Sequence, residues 1–175
     1  MQTFWSKAAI VSALGAALVS GNALADNDDV LRWQTVIGII QGGNVVGSGT
    51  GAVTGAPGPW SALGGQVRID PDRSRIDFSV HGLVFAAGNS IGNTGAVNQI
   101  KGTLVCDTNG SATGGNSVIV DTAPVELSAE GDADFHGTVA SIPTVCVTEP
   151  DVSFLIRVAT GGAANKWIGN AAVLR

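Results

Sequence analysis

"QVRIDPDRSRIDFSV", residues 66–80, decides the fold class. Val67 and Ile69 alternate with Gln66, Arg68 and Asp70, and Ile76, Phe78 and Val80 alternate with Asp77 and Ser79. A period of two puts the apolar side chains on one face of an extended chain and the polar ones on the other. Between the two runs, "DPDRS" offers Pro to fix a turn dihedral and Asp to bond nearby backbone, so the chain reverses. The stretch reads as an antiparallel hairpin.

The same signal recurs in both directions. Strand candidates are Val30 to Ile40, Asn98 to Cys106, Ser117 to Asp121, Val125 to Ala129, Ala133 to Ala140, Thr144 to Thr148, Ser153 to Ala159 and Trp167 to Leu174. The Gly-rich segment from Gly42 to Gly65 reads as a long loop or a pair of irregular strands, and "DTNGSATGGN" at 107–116 as a loop with nothing to bury. Helical periodicity is nearly absent. Many short strands punctuated by Gly, Asp, Asn and Pro predict an all-β fold, an antiparallel β-sandwich or partly open barrel, immunoglobulin-like in general architecture.

The chain opens "MQTFWSKAAIVSALGAALVSGNALADNDD". Lys7, the uncharged run from Ala8 to Gly21 and the small residues Ala23 to Ala25 have the layout of a secretory signal peptide, and the run is short for a membrane span. Residues 1–25 are therefore expected to be removed, leaving 26–175 as one secreted or periplasmic domain delivered by the general secretory route. That part keeps all 14 acids and eight of the nine bases, a net charge of −6. Its bases are scattered, which argues against nucleic acid as a partner. No later stretch predicts an integral membrane helix. Cys106 and Cys146 are the only cysteines, and in an oxidising compartment a single pair is expected to form a structural disulfide.

Two echoing stretches carry the only histidines: "IDFSVHG" (76–82) and "GDADFHG" (131–137). Alternation puts Asp77, Ser79 and His81 on one face of the first, and Asp132, Asp134 and His136 on one face of the second. Were the strands neighbours, His81 and His136 with Asp77 or Asp134 could offer nitrogen and oxygen ligands to zinc or copper. The plainer reading is two solvated histidines at strand ends. "GNSIG" (88–92) fits the G-x-S-x-G elbow, so Ser90 with His81 and Asp77 can be written as a hydrolase triad. "NTGAVNQIKG" after it is a poor helix, however, and the elbow needs one. "GSGTGA" (47–52) superficially fits a dinucleotide fingerprint, but the "GAPGPW" that follows cannot open the required helix. Trp33, Trp60 and Trp167 would make a stacking platform for sugar rings if they lay exposed in a row; in a small β-domain they more often pack inside.

"PW" at 59–60, "VHGLV", "GTLVCD", "PVELSAEGDADFHGTV", "PTVC" and "FLIRVATGG…KWIGNAAV" together resemble a group of small exported bacterial β-proteins. There is a fainter similarity to the CHRD (chordin-type) β-domains, through a strand ending in a Gly-Leu turn, although the paired-histidine "HIH" segment of those domains is missing. The resemblance implies a secreted β-domain and supplies no catalytic residue. The expectation is an exported, non-enzymatic binding or structural module that needs no cofactor, with a protein or carbohydrate as its ligand. The alternatives are a small serine hydrolase using Ser90 and a metal-binding protein using His81 and His136.

Overall fold

The computed structural model describes residues 30–174. The expected signal peptide, residues 1–25, lies outside the described residues. Thirteen strands follow in chain order: β1 (Leu31–Gly38), β2 (Val45–Val46), β3 (Val53–Thr54), β4 (Trp60–Ser61), β5 (Gly64–Asp70), β6 (Arg75–His81), β7 (Val84–Phe85), β8 (Gln99–Cys106), β9 (Val118–Asp121), β10 (Val125–Glu126), β11 (Ala133–Thr138), β12 (Ser153–Val158) and β13 (Trp167–Leu174). A single helical turn, α1 (Val145–Thr148), precedes β12.

The hairpin forms as its alternation demands. β5 and β6 pair antiparallel with Val67 opposite Phe78 and Ile69 opposite Ile76. At the turn Asp70 accepts the Arg73 amide at 3.2 Å, and Ser74 takes the left-handed conformation with φ 48°. The main sheet runs β10-β8-β12-β13-β1-β5-β6-β11, with β9 also on β8. It curls into an antiparallel half-barrel. Two small ribbons, β2–β3 and β4–β7, stand outside it.

The aromatic core shows the curl directly. β6 and β8 lie near opposite ends of the strand order, yet Phe78 from β6 and Phe154 from β12 both press onto Gly102 of β8, where a Cβ would collide with both rings. Phe154 lies 5.7 Å from Phe78 and 6.3 Å from Trp33, and Phe78 stacks on Phe135 at 5.6 Å. Such ring pairs add to the stabilisation from their burial. On β1 both Trp33 and Val36 are buried although they point to opposite faces. The outer face is covered at that end: β4 crosses at Gly38, and Val36 and Leu83 meet over Gly169.

One expected strand is a helix. Thr144 to Thr148 reads as extended from Val and Thr content, yet the chain turns once as α1. Pro143 is suited to the entry of a helix, its carbonyl accepting the Cys146 amide at 2.9 Å, and Glu149 is forced extended ahead of Pro150. The turn aims Cys146 at Cys106, and the two form the disulfide with Cα atoms 4.8 Å apart. The bond therefore ties a strand to a helical turn rather than strand to strand. Beyond Cys106, the 107–116 loop is organised by Asp107, which accepts the Ala112 amide at 3.0 Å and the Thr113 hydroxyl at 2.6 Å. The Thr113 hydroxyl, with the loop amides, holds the Asp107 carboxyl below the usual carboxylate range despite its burial.

Candidate functional site

The polar faces of β1, β5, β6 and β11 line a groove of about 880 Å³ on the side of the sheet turned away from the aromatic core. A twisted sheet is saddle-shaped, so an outer face can be concave along one diagonal. Register fixes what lines it. One cross-strand row reads Arg32, Arg68, Asp77, His136, and a second reads Gln66, Ser79, Asp134.

The echoing stretches turn out to be partners. β6 and β11 pair with Phe78 directly opposite Phe135 and Asp77 directly opposite His136. Each histidine meets the other strand's acid. Nδ1 of His136 lies 3.1 Å from Asp77 Oδ1, and Nδ1 of His81 lies 3.7 Å from Asp132 Oδ1. Asp77 also receives two bonds from the Arg75 guanidinium, both at 2.8 Å. Partial burial would raise the Asp77 carboxyl, but the hydrogen bonds from Arg75 and His136 outweigh it and hold the group below its ordinary range. Asp132 in turn accepts the Gly82 amide at 2.9 Å, which fixes the far end of the ladder.

The two histidines share the groove but cannot share an ion. His81 follows Asp77 by four positions and Asp77 faces His136, so the imidazoles stand roughly 13 Å apart at the ~3.3 Å rise of a strand. A zinc ion needs its nitrogens at about 2 Å. Among the described residues no group of three or more His, Cys, Asp or Glu side chains is placed to hold a metal. The alternative zinc or copper site of His81, His136 and Asp134 thus has its two histidines too far apart to share one ion.

Ser90 stands apart from the groove. It follows β7 in a run of turns in which the Gly88 carbonyl accepts the Ile91 amide and the Ser90 carbonyl accepts the Asn93 amide. No helix follows, so the geometry that exposes an elbow nucleophile is missing. Asp77 and His81, the other members of the sequence triad, have Arg75 with His136 and Asp132 as their respective partners.

The tryptophans form no exposed row. Trp33, Trp60 and Trp167 are 4%, 3% and 5% exposed. Trp33 underlies the groove and stacks toward Phe154, Trp60 packs on Phe85 at 4.1 Å, and Trp167 donates to the Asn44 carbonyl at 3.1 Å. A face of indole rings for sugar stacking is thus replaced by a polar groove with one indole beneath it.

Sequence reasoning singled out none of Arg32, Arg68 and Arg75, and it placed Asp132 only on a polar face, without a partner. Alternation does put Arg68 on the polar side of β5, but only register sets it between Arg32 and Asp77. A second charged cluster lies on the outer face of β8, β9 and β12. There Asp121 receives Lys101 at 2.6 Å, the Thr103 hydroxyl at 2.5 Å and the buried Arg157 at 3.1 Å. Burial alone would raise Asp121, but the Lys101 and Thr103 hydrogen bonds and the Arg157 charge prevail and lower it.

No protein-family model, no curated protein and no solved structure matches the chain. The functional reading therefore rests on the groove.

Proposed function

We propose that this protein is an exported, non-catalytic binding module whose ligand lies in the groove over β1, β5, β6 and β11. The observation that carries the reading is the groove itself. It is large enough for a small ligand and lined by guanidinium, amide, hydroxyl, imidazole and carboxylate groups projected from a rigid sheet. His136 is hydrogen-bonded to Asp77 and His81 stands 3.7 Å from Asp132, so the partner of each imidazole is a carboxylate rather than a hydroxyl or thiol to activate. Export is supported by the leader pattern at residues 1–25 and by the disulfide, which persists in oxidising compartments. Among the described residues no helix is long and apolar enough to cross a membrane.

Amide chemical-shift mapping with a panel of neutral oligosaccharides, acidic oligosaccharides and short peptides tests the reading. Saturable shifts clustered on residues 66–68, 77–81 and 134–136 are expected from at least one class. Saturable binding mapping elsewhere, or no saturable shift with any class, overturns it.

A further inference from the structure

We propose that Arg32 and Arg68 form an anion-recognition end of the groove, so that its ligand carries an oxyanion: a carboxylate, sulfate or phosphate. The inference rests on the groove being the ligand site and narrows what the groove takes.

The two arginines are direct partners across the β1–β5 ladder, both exposed and both lining the groove. Like charges directly opposite each other on a sheet are destabilising. Among the described residues, the other guanidinium groups are matched. Arg73 meets Asp70, Arg75 meets Asp77 and Arg157 meets Asp121. Among the described residues, only Arg32 and Arg68 of the arginines have no carboxylate within ion-pair distance. The acid that register sets beside Arg68 is Asp77, and its two oxygens are already engaged by Arg75 and His136. Asp70, two positions along the same face, feels the Arg68 charge but is bonded by Arg73. The row thus holds two adjacent guanidinium forks whose neighbouring carboxylates are occupied by other donors.

A planar guanidinium binds an oxyanion through two parallel N–H bonds, and two forks side by side can hold one from two directions. The protein's negative net charge opposes this only over long range, since ions screen beyond about 8 Å at physiological salt. Asp134 marks where the anion does not lie. It stands on the second row, two strands and two positions from Arg68, roughly 12 Å away by strand spacing and rise. The charged end of the ligand therefore points toward β1 and β5, and its hydroxyl or amide donors toward Asp134 and Ser79.

The purified chain is titrated separately with inorganic sulfate, inorganic phosphate, an oligogalacturonate and a neutral oligogalactoside of equal length, reading amide and Arg Nε shifts. An oxyanion that perturbs Arg32 and Arg68, and whose affinity falls about tenfold or more in Arg68→Gln and in Arg32→Gln, establishes the site. Arg68→Lys, which keeps the charge and loses the fork, is expected to fall between wild type and Arg68→Gln. Arg73→Gln, outside the groove, is expected to leave affinity unchanged. Response to sulfate or phosphate alone identifies a free inorganic ion; response to the galacturonate alone identifies an acidic saccharide. Either supports the proposal. Anion binding that is equal in Arg68→Gln and wild type overturns it. If the neutral oligogalactoside binds in the groove and no anion does, the anion proposal falls and the groove reading stands. If nothing binds there, both fall. Both arginines are exposed, so the variants are expected to fold, and matched thermal melts verify it.

Discussion

Asp77 and His136 face each other across the β6–β11 ladder at 3.1 Å, one from each of the two echoing stretches that carry the chain's histidines. The two echoing stretches are therefore neighbours in one ladder and not separate strand ends. They form a strand pair, stapled on the core side by Phe78 against Phe135 and on the groove side by reciprocal His–Asp contacts. β11 lies at one end of the sheet order, so these contacts hold an edge strand that has only β6 as a ladder partner.

Asp77→Asn is expected to destabilise the fold by about 1–2 kcal/mol, because it weakens a two-bond Arg75 pair and the His136 contact together. A double-mutant cycle with His136→Gln, read by chemical denaturation, should give a coupling of about 0.5–1 kcal/mol. Additive effects would mean that the 3.1 Å contact contributes nothing to stability.

Stability should fall in acid. Asp77 and Asp121 both have carboxyls held below the ordinary value, Asp77 by Arg75 and His136 against its burial, and Asp121 by Lys101, Thr103 and Arg157 against its burial. A group depressed in the folded state contributes stability that is fully present above its unfolded pKa, about 3.9 for Asp. It is lost as pH falls through the folded value. Melting temperature is thus expected to hold down to about pH 5 and to drop below about pH 4. In Asp77→Asn or Asp121→Asn the drop should be shallower. An unchanged slope in both variants would show that these pairs do not set the acid limit.

Gly102→Ala tests the curl of the sheet. The added methyl would collide with the Phe154 and Phe78 rings, which meet there only because β6 and β8 face each other across the core. Overpacking of this kind costs about 1–3 kcal/mol. A neutral result in thermal denaturation would mean that the two rings do not converge on β8.

Reduction of the disulfide should lower stability considerably. The bond joins residues separated by 40 positions, and closing a loop of that size restricts the unfolded chain by roughly 4 kcal/mol in the loop-entropy picture. Cys106→Ala with Cys146→Ala is expected to melt well below wild type under oxidising conditions and to coincide with reduced wild type. A double variant as stable as the oxidised protein would remove the disulfide from the stabilising terms.

The sequence by itself determined the strands and their faces. In Gln66 to Val80 the period-two alternation can be satisfied only by an extended chain with one face buried, and the turn residues place the reversal. The strand expected over Trp167 to Leu174 spans those same residues. Where the local signal was β-branched content alone, as at Thr144 to Thr148, flanking prolines and the reach from Cys146 to Cys106 overrode it. The groove was half legible: alternation put Asp77, His81, Asp134 and His136 on polar faces, but nothing in the order of residues says which strands are neighbours. Only the tertiary structure decided that. Long-range ladders join β1 to β5 and β6 to β11, setting Arg32 beside Arg68 and Asp77 beside His136, and they hold His81 a strand's length from the other histidine. Register between distant strands is chosen by the packing of the whole core, here Phe78 and Phe154 closing over Gly102 with Phe135 and Trp33 packed against them, and no local stretch contains that information.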